Sequence, residues 1–362
     1  MKARSIFHII LASCCLIAVY QPVSAQITPD DTLSTERSRV IPQNSSTERI
    51  EGGARRGANL FHSFQEFNVD QGRGAYFANP AGVENILSRV TGGNPSEILG
   101  TLGVLEGNAN LFFLNPNGII FGSNTKLDVR GSFLGSTSDS FIFDNGFVFS
   151  AANPQSPPLL TISVPVGLQF GRNPGAIRFL GTSGFQSSRH GLGLTVPPGR
   201  TVALVGGEMT LQGAFLGAPG GRIEIGSVAP LSQIRLHSAD GGWRLGYEGS
   251  QGFQNIEVSR SLIDTSVRAN NNFQLLSSDG DISIRASNLD IGGTSIVRAS
   301  TFTALPGGDI TIDVENLTLR EGTNVVSVAF DRGKAGNLTV NASESITLTG
   351  AIDIGSFISP TL

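Results

Sequence analysis

Gly280-Asp281-Ile282-Ser283-Ile284-Arg285 returns as Gly308-Asp309-Ile310-Thr311-Ile312-Asp313, and again as Gly336-Asn337-Leu338-Thr339-Val340-Asn341. The three starts lie 28 residues apart, twice in succession. A second short run follows each copy: Asn288-Leu289-Asp290-Ile291, Asn316-Leu317-Thr318-Leu319 and Ser345-Ile346-Thr347-Leu348, the last slipped by one residue. A period between about 20 and 50 residues marks a repeat architecture. The content of the unit says which one. Leucine-rich and ankyrin repeats need a helix per unit, and a propeller blade needs about 40 residues with four strands. A 28-residue unit of short alternating runs and glycine corners fits one coil of a β-solenoid, with Ile, Leu and Val pointing inward onto the same positions of the next coil. A pair of β-sandwiches also alternates, but three consecutive units in register argue against it.

Working outward, the same punctuation runs through most of the chain. Glycine accounts for 46 of 362 residues, well above the usual ~7%. No three-residue period exists, which excludes collagen, and the plentiful Ile, Val, Leu and Phe exclude a disordered chain. Short β-branched or aromatic runs are bounded by Gly, Asn, Asp or Pro: Leu60 to Phe64, Ala109 to Leu114, Gly118 to Phe121, Phe141 to Phe143, Phe147 to Phe149. Earlier relatives of the repeat begin at Gly207 and Gly221. The best helical candidate is a single turn at 83–89. The expected fold is all-β: a right-handed parallel β-helix with an amino-terminal β cap. A cap is needed because open strand edges pair with other chains. The amino-terminal part, off the 28-residue register and rich in phenylalanine, is where it belongs.

Lys2 and Arg4 precede an apolar run from Ile6 to Tyr20, and Val23-Ser24-Ala25 follows Pro22. That layout reads as a secretory signal over residues 1–25, cleaved between Ala25 and Gln26. Leu11-Ala12-Ser13-Cys14 offers a lipoprotein site as the competing reading. Cleavage takes Cys14 and Cys15, the two cysteines of the chain, so the mature protein has no disulfide and needs a continuous core. It also takes two positive charges and no acid, moving the formal net charge from −4 to −6. Nucleic-acid binding wants a basic footprint, and this is the wrong sign. Residues 26–58 then read as a loose polar leader into the cap, 59–170 as a distinct amino-terminal domain, and 171–362 as β-helix repeats. The repeats run to Leu362 in mid-unit, as in a truncated or naturally short product.

The stretch Asn110-Leu111-Phe112-Phe113-Leu114-Asn115-Pro116-Asn117-Gly118-Ile119-Ile120-Phe121-Gly122 resembles the signature of the filamentous haemagglutinin amino-terminal domain, the two-partner secretion domain of large exported adhesins. Phe61 to Val69, Asn79-Pro80-Ala81-Gly82-Val83-Glu84-Asn85-Ile86 and Gly131 to Thr137 agree in order, so the likeness covers Ile27 to Phe170. The second Asn-Pro segment departs from the Asn-Pro-Asn-Leu form of some members. The resemblance implies an adhesin-like exoprotein of a Gram-negative-type bacterium. It would be captured in the periplasm by an outer-membrane transporter with periplasmic docking domains and threaded out unfolded. Its ligand would be an unidentified cell-surface or matrix component. Asn115, Pro116, Asn117, Gly118, Ile119, Asn79 and Pro80 become the candidate secretion motif. Asn-Pro-Asn-Gly is also a good turn on chemistry alone, since Pro fixes φ and Asn or Gly tolerates positive φ. A turn shaping the cap is therefore preferred over direct partner contact, and the two are compatible.

Other chemistry finds little support. The mature chain keeps His62, His190 and His237 without paired ligand spacing, so no zinc site and no cofactor are expected. His62 reads as a packed strand residue. Asp279 and Asp281 flank a glycine, but the calcium-binding nonapeptide is missing and a turn aspartate is favoured. The rival function is a polysaccharide-cleaving β-helix enzyme, a fold that hosts such chemistry. It would need converging carboxylates. Asp281, Asp309 and Asp313 with Arg285 are the stacked candidates, and Asn337 replaces the acid on the next coil. A toxin carrier would need a catalytic tail beyond the repeats. No catalytic residue is assigned.

Overall fold

A computed structural model describes residues 27–155, 161–266, 280–350 and 353–358. The signal segment, the cleavage pair Ala25 and Gln26, and Asp279 lie outside the described residues. Strands of successive coils stack in parallel as three faces of a solenoid. On the first face Asn59–Phe67 pairs with Asn85–Val90, then Asn110–Leu114, Phe133–Ser136, Thr201–Gly206, Arg222–Ser227, Asp281–Gly292, Ile310–Leu319 and Leu338–Leu348 in turn. A second face begins with Ser96–Ile98, Ile119–Gly122 and Ile177–Leu180 and merges with the first at Asp281–Gly292. The third face runs from Thr47–Gly52 to Lys126–Asp128, and from Leu194–Thr195 to Asp353–Ile358.

The 28-residue register holds. Ile282 pairs with Ile310 and Ile310 with Leu338, while the second half shifts by one where Asn316 meets Ser345. Inward columns such as Ile284 and Ile312 form one core running the length of the stack. Each fully buried aliphatic side chain there contributes about 1.5–3 kcal/mol.

The upstream coils depart from simple alternation. Phe112 and Phe113 are both sealed, on opposite faces of one strand. Phe113 belongs to the solenoid interior, whereas Phe112 belongs to a second core outside it. The cover is an antiparallel sheet in the order Val148–Ser150, Ser140–Phe143, Pro165–Gln169, Gln233–Ala239, Gly242–Gly249. These strands come from two excursions, between Phe133 and Val202 and between Ile223 and Ile282, positions that are ladder neighbours. A sheet buried on both faces reads as a continuous apolar run. That explains why Asn-Leu-Phe-Phe-Leu carries no polar alternation.

The amino-terminal edge is closed. Ile27–Pro29 and Ala54–Arg56 both pair antiparallel with Asn59–Phe67, and Ser38–Pro42 pairs antiparallel with Thr47–Gly52. The polar stretch 26–58 is thus not a loose leader over its described part, because its strands are the cap. The turn of helix expected at 83–89 is instead the strand Asn85–Val90, hydrogen-bonded on both sides. One helical turn fixes several dihedrals for a single hydrogen bond, and two ladders easily outweigh it. The one α-helix among the described residues is Gly184–Arg189, which the sequence did not announce.

Candidate functional site

Residues 115–118 turn the chain from Asn110–Leu114 on the first face to Ile119–Gly122 on the second. Asn115 is 0% exposed. Its Nδ2 donates to the Asn94 carbonyl (3.0 Å) and to Ser96 Oγ (2.9 Å), and its Oδ1 accepts the Asn117 N–H (3.0 Å). The Gly118 N–H closes the turn onto the Asn115 carbonyl at 3.1 Å. Gly118 has φ +126°, a left-handed conformation that disfavours a side chain. Asn117 is exposed, yet its Nδ2 reaches back to the Gly92 carbonyl at 2.7 Å. On the other side the Pro116 carbonyl accepts the Gly175 N–H at 2.9 Å. Ile119 is buried between Ser96 and Ile177. The turn is therefore gripped by the coil before and the coil after.

Asn79 and Pro80 follow the third-face strand Gly74–Ala78 and belong to a different corner. Asn79 Nδ2 donates to the Glu106 carbonyl at 3.4 Å, and Pro80 is exposed. No hydrogen bond among the described residues joins this turn to residues 115–118, so the structure does not bring the two Asn-Pro turns together.

Sequence reasoning missed a ladder beside the motif. Asn85 Nδ2 donates to Asn59 Oδ1 (3.1 Å), Asn110 Nδ2 donates to Asn85 Oδ1 (3.0 Å), and Asn110 Oδ1 accepts the Ser132 N–H (3.0 Å). Asn59 in turn donates to the Ser163 carbonyl at 2.7 Å, tying the stack to the excursion. The signal was available: Asn59-Leu60-Phe61, Asn85-Ile86-Leu87 and Asn110-Leu111-Phe112 each open a strand. Gly175 was missed as well. A Cβ there would come within 2.5 Å of the Asn117 carbonyl carbon, so the turn needs a residue without a side chain beneath it.

The stacked acids are engaged with neighbouring coils. Asp281 Oδ2 takes Arg222 (2.7 Å) and Arg244 (3.0 Å), and its Oδ1 accepts the Asp309 N–H (3.1 Å). Asp309 Oδ1 accepts the N–H (2.6 Å) and Nδ2 (3.2 Å) of Asn337. Asp313 pairs with Arg285 (2.8 Å) and accepts Asn341 Nδ2 (2.6 Å). Asp281 and Asp309 border a polar groove of about 990 Å³. Glu224, 4% exposed, is pushed up to about 7 by burial, with Arg222 opposing. His62 is packed inside the cap with Nδ1 at 3.0 Å from Ser38 Oγ, and burial pushes it down to about 3. It is the strand residue the sequence suggested.

The TPS secretion domain family matches residues 25–284, a span holding the cap, the motif turn and the asparagine ladder. The chain belongs to the TPS secretion domain family. It is thus a two-partner-secreted exoprotein, carried across the outer membrane of a Gram-negative bacterium with a transporter as its partner. The fold of this TPS domain is similar to that of the HMW1 secretion domain from Haemophilus influenzae, with 17% identity and a TM-score of 0.57 over 92% of this chain and 83% of that one. It is also similar to the filamentous hemagglutinin secretion domain, with 16% identity and a TM-score of 0.55 over 92% of this chain and 99% of that one. A comparison with curated proteins finds no match.

Proposed function

We propose that this exoprotein is adhesin-like. A cleaved signal ending at Ala25 delivers it to the periplasm, and a barrel with periplasmic docking domains captures it through residues 59–170. Outside the cell, released or tethered, it presents coils 171–362 to a cell-surface or matrix ligand. The observation that carries this reading is the family match over residues 25–284, laid on a solenoid closed at its amino-terminal edge. Asn115 and Asn117 act chiefly by holding the corner between coils, since both amides are engaged inside the protein. A capture role for that turn belongs to the unfolded chain, where the same groups are free. The stacked carboxylates are bound to arginine and asparagine neighbours, which favours binding over catalysis.

The test uses the periplasmic domains of the partner transporter, immobilised and offered the chain freshly diluted from urea. Saturable capture, competed by a peptide spanning residues 110–122, is expected. Capture of the folded chain but not the diluted one, or none at all, would refute the reading.

A further inference from the structure

Arg89 is among the largest fully buried side chains of the described residues, 1% exposed on the strand Asn85–Val90. It lies on the outward side of its strand with Leu87, between the first coils and the antiparallel cover. Its Nε donates to Ser63 Oγ (2.9 Å), one terminal nitrogen to the Ser150 carbonyl (2.5 Å), and the other to Thr32 Oγ1 (2.7 Å). The guanidinium also lies 4.1 Å above the Phe149 ring centre. Asp30 accepts from the Thr32 N–H (2.9 Å), Thr32 Oγ1 (2.7 Å), Ser63 Oγ (2.7 Å) and Thr91 Oγ1 (2.6 Å). Ser63 and Thr32 therefore accept from the cation and donate to the carboxylate. Two hydroxyls relay one buried charge to the other.

This cluster joins pieces far apart in the chain. Arg89 is 57 residues from Thr32 and 61 from Ser150. An apolar side chain at position 89 would gain from each neighbour separately as it arrived. A guanidinium gives up its water at once and is compensated only when all its acceptors are in place. Both long loops must close before that happens.

We propose that the Arg89–Asp30 clasp makes docking of the amino-terminal segment and of the excursion hairpin a single event, which delays closure of the cap. Arg89 is then a positioning residue for export, because a chain that crosses a pore unfolded must not close its cap beforehand. This rests on the export reading above.

The double variant R89M/D30N removes both charges while keeping the side-chain volume at position 30 and an oxygen there to accept from the neighbouring hydroxyls. It is expected to refold from urea several-fold faster than wild type. In cells with the transporter it should accumulate folded and protease-resistant in the periplasm, with less protein outside. Refolding at the wild-type rate or slower overturns the proposal, and faster refolding with undiminished export overturns the link to export. T32A decides if the double variant does not refold. Hydrogen exchange should then show residues 139–151 losing protection together with 27–38, although Thr32 lies only in the second. Loss confined to 27–38 overturns coupled docking. A wild-type chain that ignores the transporter removes the export reading and leaves the refolding result standing.

Discussion

Replacing Asn115 by alanine removes two donor bonds and the acceptor that holds the Asn117 N–H. Ser96 is fully buried and loses its side-chain partner, and the Asn94 carbonyl loses its contact with the turn. A buried group left unsatisfied costs about 1–3 kcal/mol. With the Asx bond added, the expected loss is roughly 3 kcal/mol. Asn117→Ala removes the bond to Gly92 from an exposed residue, and about 1 kcal/mol is expected. Urea unfolding followed by circular dichroism measures both, with Trp243 as a second probe. It is the one tryptophan, and its ring centroid is 4.4 Å from that of Phe112. A less stable corner is cleared faster once outside, so the amount of intact extracellular protein should fall in the same order as stability. If N115A unfolds within about 0.5 kcal/mol of wild type, the usual scatter of a surface substitution, while export collapses, the turn works by contact alone and the corner account is wrong.

Phe112→Ala should cost about 3–5 kcal/mol and expose Trp243, because Phe112 packs edge-on against Phe141 and at a tilt against the indole; an unmoved emission maximum would contradict the second core. Gly175→Ala should reproduce the N115A defect, since the new Cβ collides with the Asn117 backbone; a wild-type midpoint would show that the turn can shift. His62 stays neutral down to about 3 when folded. Its contribution is therefore complete above pH 6.5 and falls by about 1.4 kcal/mol per unit as the pH drops below that. A chemical-denaturation series from pH 7 to 4 should lose that slope in H62L. Glu224 acts in the opposite sense: held protonated up to about 7, it makes the fold less stable as the pH rises from 4.5 to that value. E224Q should be the more stable protein at pH 8 and not at pH 4, and equal midpoints at both would refute the assignment.

The coil register was legible because in Gly280 to Asn341 the stacked positions repeat chemically as well as geometrically, so the period survives in the letters. Upstream, coils differ in length: Leu60, Ile86, Leu111 and Phe133 are ladder neighbours at unequal separations, and no fixed period records them. Asn85–Val90 misled for a related reason. With Ile86 and Leu87 buried on opposite faces, the strand lacks alternation and reads as one side of a helix. The antiparallel cover was foreseen as strands at Phe141 and Phe147 but not as a layer, because its pairing spans Ser140 to Gly249. At the motif, Asn-Pro-Asn-Gly revealed a turn through its own chemistry. Its grip by Ser96 and Gly175 comes from other coils and has no local signature. Arg89 likewise looks like an ordinary charged residue until Asp30, Ser63 and Ser150 arrive around it.

The export account is tested most directly by the amount of full-length chain outside the cell with and without its outer-membrane transporter. The account predicts abundant extracellular protein in the presence of the barrel. Without it, the chain should be retained in the periplasm and degraded. Equal extracellular amounts in both strains would contradict it.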